Sequence, residues 1–269
     1  MDKIFKQRIC REVYVRERLR HKVILTLYGI TAGFGITPGP SFVYLWMAGG
    51  SLHDYVKRDN FSARRKLDVV SRFEVRGIPE FSSSDLEWAA NRGGAWYRIL
   101  SVSIMTPRAW NSRAMSVHKQ NIVHGNLTGD NILLDGSGHV RIADFSHSVI
   151  LSEADSRMFS EQLPGDARYT APESILAGGR TGAPKPTKEG DVYSYGCVAI
   201  LVLSGKVPYW WISDENQVLS EKAKGTQPFH STMEVDKMHL NLVHQCLSAE
   251  KSRPPIENVI YLVLVQSFG

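Results

Sequence analysis

Apolar and polar positions follow several distinct rhythms along this chain, and each rhythm predicts an element. Up to about His21 the apolar residues Ile9, Val13 and Leu19 recur at near-helical spacing among charges, which predicts an amphipathic helix. Two β-like runs follow, "VILTLYGIT" at 23–31 and "SFVYLWM" at 41–47. The intervening "AGFGITPGP" is rich in Gly and Pro and marks a turn. "AGGSLHDYVKR" then reads as a loop that Ser51 caps into a short helix, because its hydroxyl can accept from an unpaired amide of the first turn.

Further along, "NILLDGSGHVRIADF" (131–145) places two apolar runs around Asp135, Gly136, Ser137 and Gly138, which is a hairpin pattern. "DVYSYGCVAILVLSG" (191–205) is apolar on almost every side, so it predicts a helix buried all round, ended by Gly205 with Pro208 beyond. The tail from 239 to 266 gives two more helices split by "SRPP". Residues 72–111 keep no sustained period and hold Gly, Pro, Ser and Trp clusters, which is unusual inside a compact domain.

Composition narrows the class. At 269 residues, 43% hydrophobic and 22% charged, the chain is a globular protein and not a disordered one. Cys10, Cys197 and Cys246 lie far apart without a C-x-x-C, so neither a disulfide framework nor a zinc site is indicated and a reducing, cytoplasmic setting is expected. The charged N-terminus lacks the apolar core of a signal peptide. The longest apolar run, "CVAILVL", is far short of the roughly 20 residues that span a bilayer, so no membrane partner is expected. Residues 1–76 carry 15 Lys and Arg against 7 Asp and Glu. A basic first quarter could meet nucleic acid, but no aromatics interleave these charges, and a solvated helix face is the favoured reading.

The candidate chemistry lies in "HGNLTGDN" (124–131), "ADFS" (143–146), "RYTAPES" (168–174), "DVYSYG" (191–196) and "SRPPIENVI" (252–260). In this order and spacing they resemble the catalytic loop, the start and end of the activation segment, the opening of the long central helix and the Arg-bearing junction of eukaryotic protein kinases. The closest likeness is to the tyrosine-kinase-like group of Ser/Thr kinases. The resemblance implies an α+β, two-lobed fold in a single domain over 1–269, with an incomplete N-lobe at 1–47, a mainly helical C-lobe at 48–269 and an atypical insertion at 72–111. It implies ATP and Mg²⁺ as cofactors: Asp144 and Asn131 would hold the metal, Leu133 would floor the adenine and the Met47 backbone would bond its edge. A protein substrate or partner is implied as well. Glu173 with Arg253, and Asp191, resemble the family's fold-keeping groups.

Several positions depart from the pattern. Asn126 stands where the family has its catalytic Asp, and an amide has no useful basicity. Losing general-base help costs a factor of about 10² to 10⁴, or roughly 2.7 to 5.4 kcal/mol of barrier. Thr128 replaces the γ-phosphate Lys, Asp166 replaces the activation-segment Thr, and Gly125 replaces the Arg that would read a phosphate on Ser152, Ser156 or Ser160. Glu12 stands where the regulatory helix has its ion-paired Glu, yet with only eleven residues before it a Gly-rich loop and its strand lysine have no room. Arg16 takes the place of an apolar residue one turn later. The 72–111 segment interrupts a stretch that is continuous in the family, and reads as an unspliced intron or misassigned exon, with a surface insertion as the alternative.

The leading expectation is therefore a catalytically impaired, pseudokinase-type domain that binds protein and holds ATP weakly. The second is a working ATP-dependent Ser/Thr kinase of which this sequence is a truncated or misspliced form. The third, a basic nucleic-acid-binding module, is the least favoured.

Overall fold

The computed structural model of the chain describes residues 3–19, 23–32, 40–58, 117–137, 139–153, 165–176, 185–230, 233, 237–256 and 258. The 72–111 segment, Ser156 and Ser160 lie outside the described residues, as does the second helix expected in the tail beyond residue 258.

Helix α1 spans Lys3–Arg18. Its buried residues are Arg11, Glu12, Val15 and Arg16, with Leu19 just beyond its end, while Ile9 and Val13 are only half-buried. The apolar spacing therefore locates the helix and misplaces its inner face. A charged inner face is tolerated only when its charges are paired, as Glu12 is with Arg16 one turn on.

The two early β-like runs are each shorter or divided. Strand β1 is Leu27–Ala32 and pairs antiparallel with β2, Pro40–Tyr44. Residues 23–25 leave that hairpin and run beside a later strand, β6 (Val140–Ile142), with Leu25 N donating to Ile142 O at 2.9 Å and Ile142 N to Val23 O at 2.7 Å. Val23 and Leu25 are thereby buried, whereas Tyr28, Ile30 and Val43 are exposed. The second run ends as a strand at Tyr44, so Trp46 is 84% exposed and Met47 turns inward.

Strand β3 (Gly50–Ser51) leads directly into α2 (Leu52–Arg58), and the Ser51 hydroxyl accepts from Asp54 N at 3.1 Å, the expected cap. Strands β5 (Ile132–Leu134) and β6 (Val140–Ile142) form the expected hairpin, and with β3 they make a sheet ordered β3-β5-β6. Ile122–Val123 (β4) pairs with Val149–Ile150 (β7), a short ladder that brackets the candidate loop.

The helices that follow are α3 (Pro172–Leu176), α4 (Lys188–Ser204), α5 (Glu215–Ala223) and α6 (Lys237–Cys246). Thr187 caps α4 by accepting from Gly190 N, and Gly205, at φ 75°, closes it in the left-handed region. Val192, Tyr193, Tyr195, Cys197, Val198, Ile200 and Leu201 are all buried, so α4 is the axis of the core, and one cluster runs from Val15 and Leu19 through it to Val243 and Ile256. Among the described residues no helix is long and apolar enough to cross a membrane.

Candidate active site

The loop after β4 is anchored from below by Asp191 at the start of α4. Its buried carboxylate accepts from His124 N (2.8 Å) and Gly125 N (2.9 Å), and pairs with His118 Nε2 at 2.8 Å. Burial pushes this carboxyl upward, but the hydrogen bond and charge of His118, with His124 and the Gly125 amide, outweigh it and hold it below the usual range.

Gly125 sits at φ 76°, and a Cβ placed there would lie 2.7 Å from His147 O and 2.9 Å from Pro186 Cγ. The absent side chain is thus a steric requirement of this loop as well as a lost cation. Gly125→Arg is expected to cost roughly 1 to 3 kcal/mol in urea unfolding, because both the backbone conformation and the space oppose it. An unchanged midpoint would show that the loop adapts freely.

Asn126 points its side chain toward the activation segment, where Oδ1 accepts from Asp166 N at 3.2 Å. Because the amide oxygen is fixed by that donor, the other edge of Asn126 is an NH₂ group, a donor without a basic lone pair. Asn131 Nδ2 donates to Asn126 O at 2.8 Å, and Asn131 O accepts from Ala143 N at 2.9 Å, which brings Asn126, Asn131 and the residue before Asp144 together. Thr128 is buried and its hydroxyl accepts from Asn131 N at 3.2 Å, so it serves the loop and presents no charge to the cleft.

Asp144 adopts φ 57°, sparsely populated for a residue with a side chain. Ser146 N donates to its Oδ1 at 3.1 Å and stabilises that turn. Burial raises this carboxyl, yet the Ser146 hydrogen bonds and the nearby His124 and His147 more than offset it, leaving it lowered and ionised at neutral pH. Leu133 points to the opposite face from the fully buried Ile132 and Leu134, and pairs with Ser51 across the sheet. Met47 is buried, with its carbonyl accepting from Gly50 N at 3.0 Å, and Gly49 N bonds to Leu134 O at 2.9 Å. The 47–51 turn is thus held against the strand that carries Leu133.

One comparison fixes the family. The family model described as protein tyrosine and serine/threonine kinase matches residues 1–263. The chain belongs to this kinase family. Among curated relatives it is similar to the sucrose non-fermenting protein kinase 1 of Fusarium virguliforme, with 28% identity covering 81% of this chain and 24% of the relative. The serine/threonine-protein kinase STY46 of Arabidopsis thaliana is 24% identical over 85% of this chain and 32% of its own length. A probable LRR receptor-like serine/threonine-protein kinase of the same plant, IRK, is 32% identical over 40% of this chain and 11% of its own. The kinase domain here spans between about a tenth and a third of these relatives.

The kinase family implies Mg²⁺ and a nucleotide, and the residues for the metal fit the role chemically. Asp144 is an ionised carboxylate, and Asn131, whose NH₂ is committed to Asn126 O, keeps its carbonyl oxygen as a hard ligand. The motif pattern did not reveal His118 as the partner of Asp191, nor Ser146 as the support of Asp144. Nor did it reveal that Arg16 pairs with Glu12, although their i, i+4 spacing was a readable signal.

Proposed function

We propose that this kinase domain is catalytically impaired and acts by binding a protein partner. The observation that carries the reading is the Asn126 amide, whose oxygen accepts from Asp166 N and which offers no basic group in place of the family's catalytic Asp. The buried, internally bonded Thr128 supports it, since no cation is presented there to a γ-phosphate.

In this reading 1–269 is one domain, with 1–47 contributing a partial upper lobe and 48–269 the lower one. Asp144 and Asn131 would hold Mg²⁺, which when bound neutralises phosphate charge, and Leu133 and the Met47 backbone would hold the adenine. Asp191 and His118 hold the loop in place, and Glu173 with Arg253 ties the activation segment to α4. These groups keep the lower part of the domain built whether or not it turns over, which suits a protein-binding role. The relatives' names include serine/threonine-protein kinases, and the intact Asp144 and Asn131 favour, as the second reading, a working Ser/Thr kinase within a longer chain.

The expected result is no phosphoryl transfer above background to generic protein substrates, and only a weak thermal shift with Mg-ATP. Asn126→Asp alone is expected not to restore turnover, because Thr128 and Asp166 act on the same site and such losses do not simply add. Robust turnover by the unaltered domain would overturn the proposal in favour of the working kinase.

A further inference from the structure

Glu12 and Arg16 lie one turn apart on α1, and both are buried, with 1% and 8% of their surface exposed. Both oxygens of the Glu12 carboxylate are engaged within this chain. Its Oε1 accepts from Arg16 Nε and from the Tyr44 hydroxyl at 2.9 Å, and its Oε2 accepts from Phe145 N. The Arg16 guanidinium also donates to Leu25 O and lies over the Tyr44 and Phe145 rings, at 4.9 and 5.1 Å from their centroids. The remaining Arg16 nitrogen, Nη2, has no hydrogen-bond partner among the described residues. Around this centre Arg11 Nη1 donates to Ser146 O at 3.3 Å, and the Tyr14 hydroxyl bonds to Glu153. Helix α1 therefore grips the start of the activation segment at Phe145, Ser146 and Glu153.

We infer that Arg16 is a built-in counter-ion that neutralises Glu12 from the same helix and clamps α1 onto Phe145 without the help of a nucleotide. The inference deepens the proposed function and rests on reading this cleft as that of the kinase family. An isolated buried carboxylate is strongly disfavoured, so a cation must accompany Glu12 into the interior. A guanidinium suits that place: it stays charged, forks between the carboxylate and the Leu25 carbonyl, and stacks on aromatic rings. Because the counter-ion comes from α1 itself, closure needs neither nucleotide phosphates nor a cation from another element. Glu12 has in turn little accepting capacity left for a lysine brought from elsewhere, unless Arg16 first leaves.

Hydrogen exchange on the full chain tests this, without nucleotide or substrate. Arg16→Leu, which supplies apolar bulk but no charge, is expected to speed exchange of the α1 amides and of Phe145 N by at least about tenfold, equivalent to about 1.4 kcal/mol. The α4 amides should keep their protection, which shows that the variant has folded. Adding Glu12→Gln to Arg16→Leu should recover much of the lost protection, since the uncompensated charge is gone. Millimolar Mg-ATP should leave α1 exchange in the unaltered protein unchanged.

Unchanged exchange in Arg16→Leu would overturn the clamp. Equal deprotection in the double variant would also overturn it, by showing that Arg16 only fills space. A large nucleotide-induced gain in α1 protection would overturn closure in the free state. Phosphoryl transfer by the protein would defeat the proposed function and leave these exchange results standing.

Discussion

Glu173→Ala is expected to lower unfolding stability by about 3 to 4 kcal/mol, measured by denaturant titration near pH 7. Its partner Arg253 is the deeper member of the pair, with a side chain 2% exposed against 26% for Glu173. The guanidinium forks onto both carboxylate oxygens, with Nη2 to Oε2 at 2.8 Å, and also donates to Glu189 O at 3.1 Å and Ser248 O at 2.9 Å. Truncating Glu173 leaves a cation that cannot shed its proton, held under Tyr193 with two carbonyls for company. The partial exposure of Glu173 lets some water in, which places the effect toward the lower end of the range for broken buried pairs. Glu173→Gln, which keeps an acceptor for the fork, should lose clearly less. Equal losses for Ala and Gln would mean that packing, not charge, governs this joint.

Stability is also expected to rise with pH between about 8 and 9 and to fall above it. Lys222 of α5 is 3% exposed and donates to Thr170 O at 2.6 Å and Arg168 O at 3.1 Å, pinning the end of the activation segment. Burial above all lowers its pKa to about 8, against a partial offset from Cys197, Asp166 and Glu173. Below pH 8 both folded and unfolded states hold this proton. Between about 8 and the ordinary 10.5 only the unfolded state does, so stability climbs by at most roughly 3 kcal/mol across that window.

Cys197 and Cys246 act in the opposite sense. Burial raises both thiols to about 12, so their contribution is complete below the ordinary 9 and is lost as pH rises through 9 to 12. Two falling contributions outweigh one rising contribution above pH 9, which leaves a gain of about 1 kcal/mol below it. Lys222→Met should flatten the rise and keep the fall. A flat wild-type profile from pH 8 to 9, or a rise that persists in Lys222→Met, would rule this account out.

What could be read from the sequence depends on how local its cause is. The β5-β6 hairpin and helix α4 were legible because turn residues, a closing glycine and unbroken apolar character act within a few positions. Asn126, Asn131 and Asp144 were legible as a constellation because motif order fixes them, and the structure brings them together through Asn131 and Ala143. The ends of the early strands were not, because residues 23–25 are drawn away by β6, far along the chain. The inner face of α1 misled for a related reason: its charges are tolerable only through partners on other segments, Tyr44, Leu25 and Phe145. Lys222 carried no signal at all, since a lysine amid polar neighbours on a short helix normally faces water.

The parallel contact of Ile24 with Ile142 also bears on how the protein is made. On a ribosome, α1 and residues 23–25 emerge long before β6 exists, so Val23 and Ile24 must wait for the strand they are buried beside. The β5-β6 hairpin can close as soon as it is synthesised, and only then can residues 23–25 dock beside it. Non-local closure of this kind is slow relative to hairpin formation, so residues 23–25, though synthesised before the hairpin, find their place after it.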